Sequence, residues 1–367
     1  MEIVFDNIVF SLQKVGGISI VWQNLLDGAK KFSNIDYQCI EYSGASDNLF
    51  RKMIEIPRER LIILSNKFIL IKRYFSPNIY YKTPFIFHSS YYRYCKSKNA
   101  INFTTIHDFT YEYYYSGLRK LLHCHQKYKA IKHSDYIICI SETTKNDLLK
   151  FYPKIDESKV HVVYNGVSSD YFPIEHCDNS MQEYGNYIVF VGSRKGYKNF
   201  DIAVKAIKES HLNLVIIGNK LTIHEKEMLI SEIGINRFFE FGRISNNELN
   251  KVYNAAFCLL YPSLYEGFGI PVLEAQKAGC PVITVNTPSI VEIIGDKTLV
   301  AKNNDIKSII DKIRLIKDST LRKKIIELGY ENVKKYSWEK MQDKIFALYK
   351  AAIKSKNENF NNYSRIQ

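Results

Sequence analysis

Short apolar runs alternate with amphipathic segments along nearly the whole chain, and this alternation limits the folds open to it more than any other feature. Strand-length runs fall at 3–10, 37–41, 84–88, 101–106, 136–140 and 160–164, with helical periodicity at 18–31, 118–133 and 142–151. A second cycle has strands at 187–191, 213–217, 257–261 and 281–285 and helices at 200–209, 223–233, 247–255 and 270–278; the end is helical at 305–316, 320–335 and 337–354. A strand followed by a helix, repeated, forces parallel strands with crossovers, so the reading is two doubly wound Rossmann-like α/β domains. A length of 367 residues suits two domains with a core each. The expected boundaries are 1–168 for the first domain, 169–186 for an aperiodic linker, 187–336 for the second and 357–367 for a polar, frayed tail, with the helix at about 340–354 packing back on the first domain.

Several classes are excluded by what is missing. No run approaches the roughly 18–20 apolar residues of a membrane span, and the first residues carry Glu2 and Asp6, so they read as a strand and not as a leader. Seven cysteines without a CxxC pair are expected to be reduced, buried thiols in the cytoplasm. No GxGxxG opens a helix and no GxxxxGK[ST] occurs, which argues against dinucleotide and P-loop enzymes. No Asp-x-Asp pair is present to hold a divalent ion against a diphosphate. His123-Cys124-His125 looks like a ligand set, but neighbours on a helix diverge, so no metal site is expected.

The chemistry concentrates in YPSLYEGFGIPVLEAQKAGCPVIT, residues 261–284. A strand leads into a loop with Glu266, Gly267, Phe268 and Gly269, then a helix opening near Ile270-Pro271. Proline there loses no hydrogen bond, and the amides of Gly269, Ile270 and Val272 are expected to point out of a positive helix end that suits an anion. Glu266 and Glu274 flank that end, placed to accept from hydroxyls while the amides hold oxygens.

The spacing Glu266…Glu274 within EGFGIPVLE resembles the signature of the retaining glycosyltransferases of family 4, whose GT-B fold has two such domains facing across a cleft. The resemblance extends to FVGSRKGYKN (190–199), GRISNNELNKVYNAA (242–256), TIHDF (105–109) and FSLQKVGGIS (10–19), and in FSLQxxGGIS and HxxYYR (88–93) it leans toward surface-polysaccharide and O-antigen mannosyltransferases. It implies transfer of a hexose, mannose favoured, from a nucleotide sugar such as GDP-mannose to a lipid-linked or growing glycan, without metal or other cofactor. By position, Glu274 matches the residue that binds ribose hydroxyls and Glu266 the one that contacts the donor sugar. Gly17, with Gly16 before it, matches the glycine whose amide approaches the diphosphate. Arg194 and Lys198 match the basic pair that clamps it, with Lys195 a rival because Ser193 separates Gly192 from the arginine. His107 matches the active-site imidazole beside the donor sugar.

Residues 51–98 hold eleven Lys and Arg against Glu55 and Glu59, out of a net charge of +13, and mix them with aromatics. The run 67–75 (KFILIKRYF), with Lys67, Lys72 and Arg73, is expected to lie on an anionic membrane surface, peripheral on the inner face of the cell membrane. A nucleic-acid-binding protein is the first alternative for so basic a chain, but no binding module accompanies the charge and no nucleic-acid partner is expected. A sugar-nucleotide epimerase or a phosphorylase on the same fold remains a second alternative.

Overall fold

The computed structural model describes residues 1–32, 35–175, 179–302 and 304–364. The chain divides into two compact units, one formed by residues 1–165 together with the C-terminal helix from Trp338, the other by Gly166–Ser337.

The first unit is built on seven parallel strands: β1 (Glu2–Asp6), β2 (Asp36–Tyr42), β3 (Leu61–Leu64), β4 (Phe85–Ser89), β5 (Ala100–Ile106), β6 (Tyr136–Cys139) and β7 (Val160–Val162), in the order β3-β2-β1-β4-β5-β6-β7. The middle strands are buried on both faces, hence their near-continuous apolar sequences, IVF in β1 and FIF in β4. At the carboxyl ends of β1 and β4 the buried polar residues are satisfied: Asp6 takes the guanidinium of Arg93, with Nε to Oδ2 at 2.7 Å, and Ser89 Oγ donates to Asp6 Oδ2 at 2.6 Å.

The terminal helix Trp338–Ser364 packs on the helix Gly17–Lys31 of this unit. Phe346 meets Phe32 at a centroid distance of 4.6 Å, Gln342 Nε2 donates to Asn24 O at 2.7 Å, and the Tyr349 hydroxyl bonds His88 Nδ1. Gly28 makes this close approach possible, because a Cβ there would lie 2.6 Å from Gln342 Cγ.

The second unit holds β8 (Tyr187–Val191), β9 (Asn213–Ile217), β10 (Phe238–Gly242), β11 (Cys258–Tyr261), β12 (Val282–Val285) and β13 (Val300–Ala301), all parallel, in the order β10-β9-β8-β11-β12-β13. Its core lies between the sheet and the helix pair Phe200–Ser210 and Ile306–Leu315. Both sheets reverse strand order beside their first strand, and in such sheets ligands bind at the carboxyl ends near that reversal.

The chain departs from the sequence reading at several points. The expected strand 3–10 ends at Asp6: Asn7 turns the chain, donating to Glu41 Oε1 at 2.9 Å and accepting from Trp22 Nε1 at 2.7 Å, and Val9–Leu12 is helical. The strand β10, the two-residue β13 and the helix Pro288–Ile293 were not expected; β10 is a half-buried edge whose FFEFG has no clean alternation. The stretch read as a linker packs on the helix Asn246–Ala255, Phe172 N donating to Asn250 Oδ1 at 3.1 Å and Ile174 N to Asn254 Oδ1 at 2.8 Å, so the unit border falls at 165/166; residues 176–178 lie outside the described residues. Of the expected frayed tail, residues 357–364 continue the helix, and 365–367 lie outside the described residues.

Candidate active site

In the second unit, β11 delivers the chain into the loop that holds Glu266. Gly269 closes that loop at φ +112°, and a Cβ there would lie 2.3 Å from Ile290 Cδ1, so both backbone and space require glycine. The helix Ile270–Lys277 begins directly after it, with Pro271 in its first turn and no side chain capping it. The amide of Val272 does not point out of this helix end as expected: it donates to Gly269 O at 3.0 Å. Phe268 is likewise not presented to a ligand; its ring is buried against Tyr336 at a centroid distance of 6.0 Å and anchors the loop. Gly267 is buried beside it. Ser289 Oγ donates to Glu266 O at 2.7 Å, so the unexpected helix Pro288–Ile293 holds the loop from below.

Glu266 is brought together with Lys198. Lys198 ends a 3-10 turn, Gly196–Lys198, that follows β8, and its Nζ donates to Glu266 Oε1 at 2.5 Å and to Tyr261 Oη at 3.4 Å. Leu264 N donates to Tyr197 O at 2.8 Å and ties the two loops at the backbone.

Glu274 is buried in the same helix and accepts from the Tyr253 hydroxyl at 3.3 Å. Burial raises its pKa to about 7, and hydrogen bonding from Tyr253 and Tyr171 opposes the rise.

Arg194 is not aimed at open space. Its guanidinium donates to both carboxylate oxygens of Glu225, at 2.7 and 3.1 Å, and to the carbonyls of Asn219 and Lys220 at 2.9 and 2.8 Å. Glu225 also closes the capping box of the helix Ile223–Ile233 with Thr222, and the Arg194 hydrogen bond holds its carboxyl at about 2. Lys195 is exposed.

In the first unit, Gly16 precedes the helix Gly17–Lys31, and a Cβ on Gly17 would meet open space within 4 Å. His107 follows β5, half-buried beside Trp22, Thr105 and Asn165. Burial lowers its pKa to about 4, against the pull of Asp108, so the imidazole is neutral at physiological pH. Its turn is held from beneath: Asp108 Oδ1 accepts from Thr110 N at 3.0 Å, and the fully buried Lys127 donates to Asp108 O at 2.9 Å and to Glu112 Oε2 at 2.8 Å. No motif marked Lys127 or Glu112; the only signal was a lysine on the apolar side of the helix Gly117–Lys132. His88 also lies here, its Nε2 at 2.9 Å from Thr105 Oγ1.

Glu112, His123 and Cys124 offer donor atoms within 4.8 Å of one another, the described group best placed to hold a metal ion. The Lys127 ammonium already occupies Glu112, and the His123 ring is stacked on Tyr111 at 3.7 Å. Of the three cations expected at a membrane, Lys67 is exposed, Lys72 Nζ donates to Ser65 O at 2.7 Å, and Arg73 lies over the Tyr91 ring at 4.3 Å.

Comparison with known proteins matches residues 15–171 to the model described as Glycosyltransferase Family 4 and residues 174–332 to that described as Glycosyl transferases group 1. The chain is 26% identical over 265 residues to O-antigen chain mannosyltransferase B of Escherichia coli, covering 67% of this chain and 69% of that protein. It is 28% identical over 209 residues to O-antigen chain mannosyltransferase RfbU of Salmonella typhimurium, covering 56% and 58%. Among solved structures, HepE from Anabaena in complex with UDP and glucose superposes with a TM-score of 0.71 at 15% identity, covering 95% of this chain and 99% of that one. WaaG, a glycosyltransferase involved in lipopolysaccharide biosynthesis, superposes with a TM-score of 0.64 at 16% identity, covering 95% and 99%.

Proposed function

Because the chain belongs to the family 4, group 1 glycosyltransferases, whose two models match its two halves in succession, we propose that it moves a hexosyl group from a nucleotide sugar to a lipid-linked or growing glycan in the assembly of a surface polysaccharide. The observation that carries this reading is the Lys198–Glu266 pair at the carboxyl end of the second sheet, one helix turn from a buried glutamate. Such a group answers the three parts of a nucleotide sugar: Glu274 accepts from the ribose hydroxyls, Lys198 and the amide end of Ile270–Lys277 face the diphosphate, and Glu266 accepts from the sugar.

The ammonium of Lys198, held in place by Glu266, and the positive helix end face the leaving diphosphate, and the reading calls for no metal ion. The bond from the anomeric carbon to the diphosphate oxygen breaks as the acceptor oxygen attacks from the same face, and the acceptor's proton passes to the departing oxygen, which retains the configuration. No carboxylate nucleophile is assigned. In the first unit, the open side of Gly17 suits a phosphate, and neutral His107 accepts or donates a hydrogen bond to a sugar hydroxyl. Arg194 acts as a positioning residue, bracing the strand-to-turn connection that presents Lys198.

Mannose from GDP-mannose is favoured because two relatives are named O-antigen chain mannosyltransferases; a uridine nucleotide is the competing choice, since HepE was solved with UDP-glucose. The enzyme works peripherally at the inner face of the membrane, where Lys67 and the exposed Phe68 and Leu70 meet anionic lipid. Thermal stabilisation and slow hydrolysis across GDP-, UDP- and dTDP-sugars test the donor reading. One nucleotide class is expected to stabilise the protein and Glu274→Ala to abolish the response; an equally responsive variant would contradict the ribose assignment.

A further inference from the structure

On one face of the first sheet, the register of the edge pair places Ile40 beside Ile62 and Tyr42 beside Leu64. Ile40 and Tyr42 are buried there, whereas Ile62 and Leu64 remain exposed. They floor an open groove of about 620 Å³ whose far wall is the segment 75–81, with Phe75, Ile79 and Tyr80 turned to it. That volume lies within the usual range of small-ligand sites. Ile62 and Leu64 are 39% and 38% exposed and Phe75 and Tyr80 are 65% and 76% exposed, which for an edge strand and its neighbours is an unusual apolar surface to leave to water.

The groove has a polar end. Tyr42 and Leu64 close their strands at the carboxyl edge of the sheet, and there the lining passes to Lys72 and Arg93. Arg93 is neutralised by Asp6, whereas Lys72 Nζ donates to the neutral carbonyl of Ser65 and lies 5.9 Å from the Tyr42 ring centroid, contacts that leave its charge uncompensated. His107 follows β5 at the same carboxyl edge.

We propose that this groove holds the hydrocarbon chain of the acceptor's lipid carrier, with the carrier's phosphate at Lys72. The proposal rests on the reading of a lipid-linked acceptor. Charge decides the occupant: the groove is lined by Lys72 and Arg93 and by no Asp or Glu, so the same face of a second copy would meet it with like charge, whereas a phosphate-headed chain is complementary.

The test uses the full chain and octyl phosphate below its micelle concentration, with sodium phosphate and 1-octanol as head-only and chain-only probes, followed by calorimetry. Octyl phosphate should bind at least tenfold more tightly than either, and Ile62→Glu, Tyr80→Ala and Lys72→Met should each weaken it severalfold; the first two lie on exposed positions, and unchanged circular dichroism confirms folding. Equal binding of sodium phosphate, or binding unaltered in both Ile62→Glu and Tyr80→Ala, overturns the proposal. So does a concentration-dependent dimer that Ile62→Glu abolishes, or a groove variant that loses sedimentation with phosphatidylglycerol vesicles while keeping octyl phosphate, since the face would then meet a copy or a bilayer. Stabilisation by nucleotide sugars is measured on the same variants and should not change; wild type that binds octyl phosphate but no nucleotide sugar would sink the donor reading and leave the groove standing.

Discussion

Lys198 Nζ lies 2.5 Å from Glu266 Oε1, joining the turn after β8 to the loop after β11 across 68 residues of sequence. Both side chains are mostly buried, at 14% and 12% exposure, so the pair is a preorganised charge and not a surface contact. Its removal should therefore register in the chemistry. Lys198→Met is expected to lower the rate of nucleoside diphosphate release by about 10²–10³-fold, the usual scale for losing one stabilising group at a developing anion. Lys198→Arg should recover part of it. A Lys198→Met enzyme within twofold of wild type would remove this residue from the diphosphate site.

Glu274 makes stability fall as pH rises. Its carboxyl titrates at about 7 in the folded chain against an ordinary 4.5, so the folded state holds a proton that the unfolded chain gives up. The penalty is absent below about 4.5, grows between there and about 7, and is complete above, on the order of 3 kcal/mol at about 1.4 kcal/mol per unit. Glu274→Gln should accordingly gain stability relative to wild type between pH 5 and pH 8 while losing nucleotide binding. Denaturation curves of both proteins at those two pH values measure it; a constant difference refutes it.

Three neutral histidines work in the opposite direction in the first unit. Burial is the leading cause that holds His88 and His123 at about 3 and His107 at about 4. The unfolded chain protonates all three near 6.5, so the stability they contribute is present above that value and is lost as pH falls from there to about 4 for His107 and about 3 for His88 and His123. The first unit should therefore lose its near-ultraviolet signal on acidification below pH 6. In the active range, the rate profile should show no titration of His107 between pH 6 and 8.

Lys127 and Glu112 form a buried pair with 0% and 5% side-chain exposure. Removing one partner strands a charge, so Lys127→Met should destabilise the first unit by about 3–5 kcal/mol in urea unfolding. Adding Glu112→Leu should restore much of that loss, because the stranded carboxylate is then gone too. Independent, additive effects would show that the pair does not couple.

Much of the architecture was legible in the chain. Both strand-helix cycles, the family resemblance and the pairing of a glycine bend with Pro271 come from neighbours a few residues apart, where alternation and helical period leave a direct mark. What stayed hidden depends on contacts between residues distant in sequence. Arg194 sits in a basic turn that reads as a phosphate clamp, yet Glu225, 31 residues away, takes its guanidinium. Phe268 lies inside the signature, yet Tyr336 buries it. Lys127 looks like one more helix lysine until folding encloses it between Asp108 and Glu112. Residue type and spacing determined the two sheets and named the chemistry; tertiary packing alone decided which cations remain available to a ligand, because desolvation and pairing are properties of the folded surroundings and have no local signature.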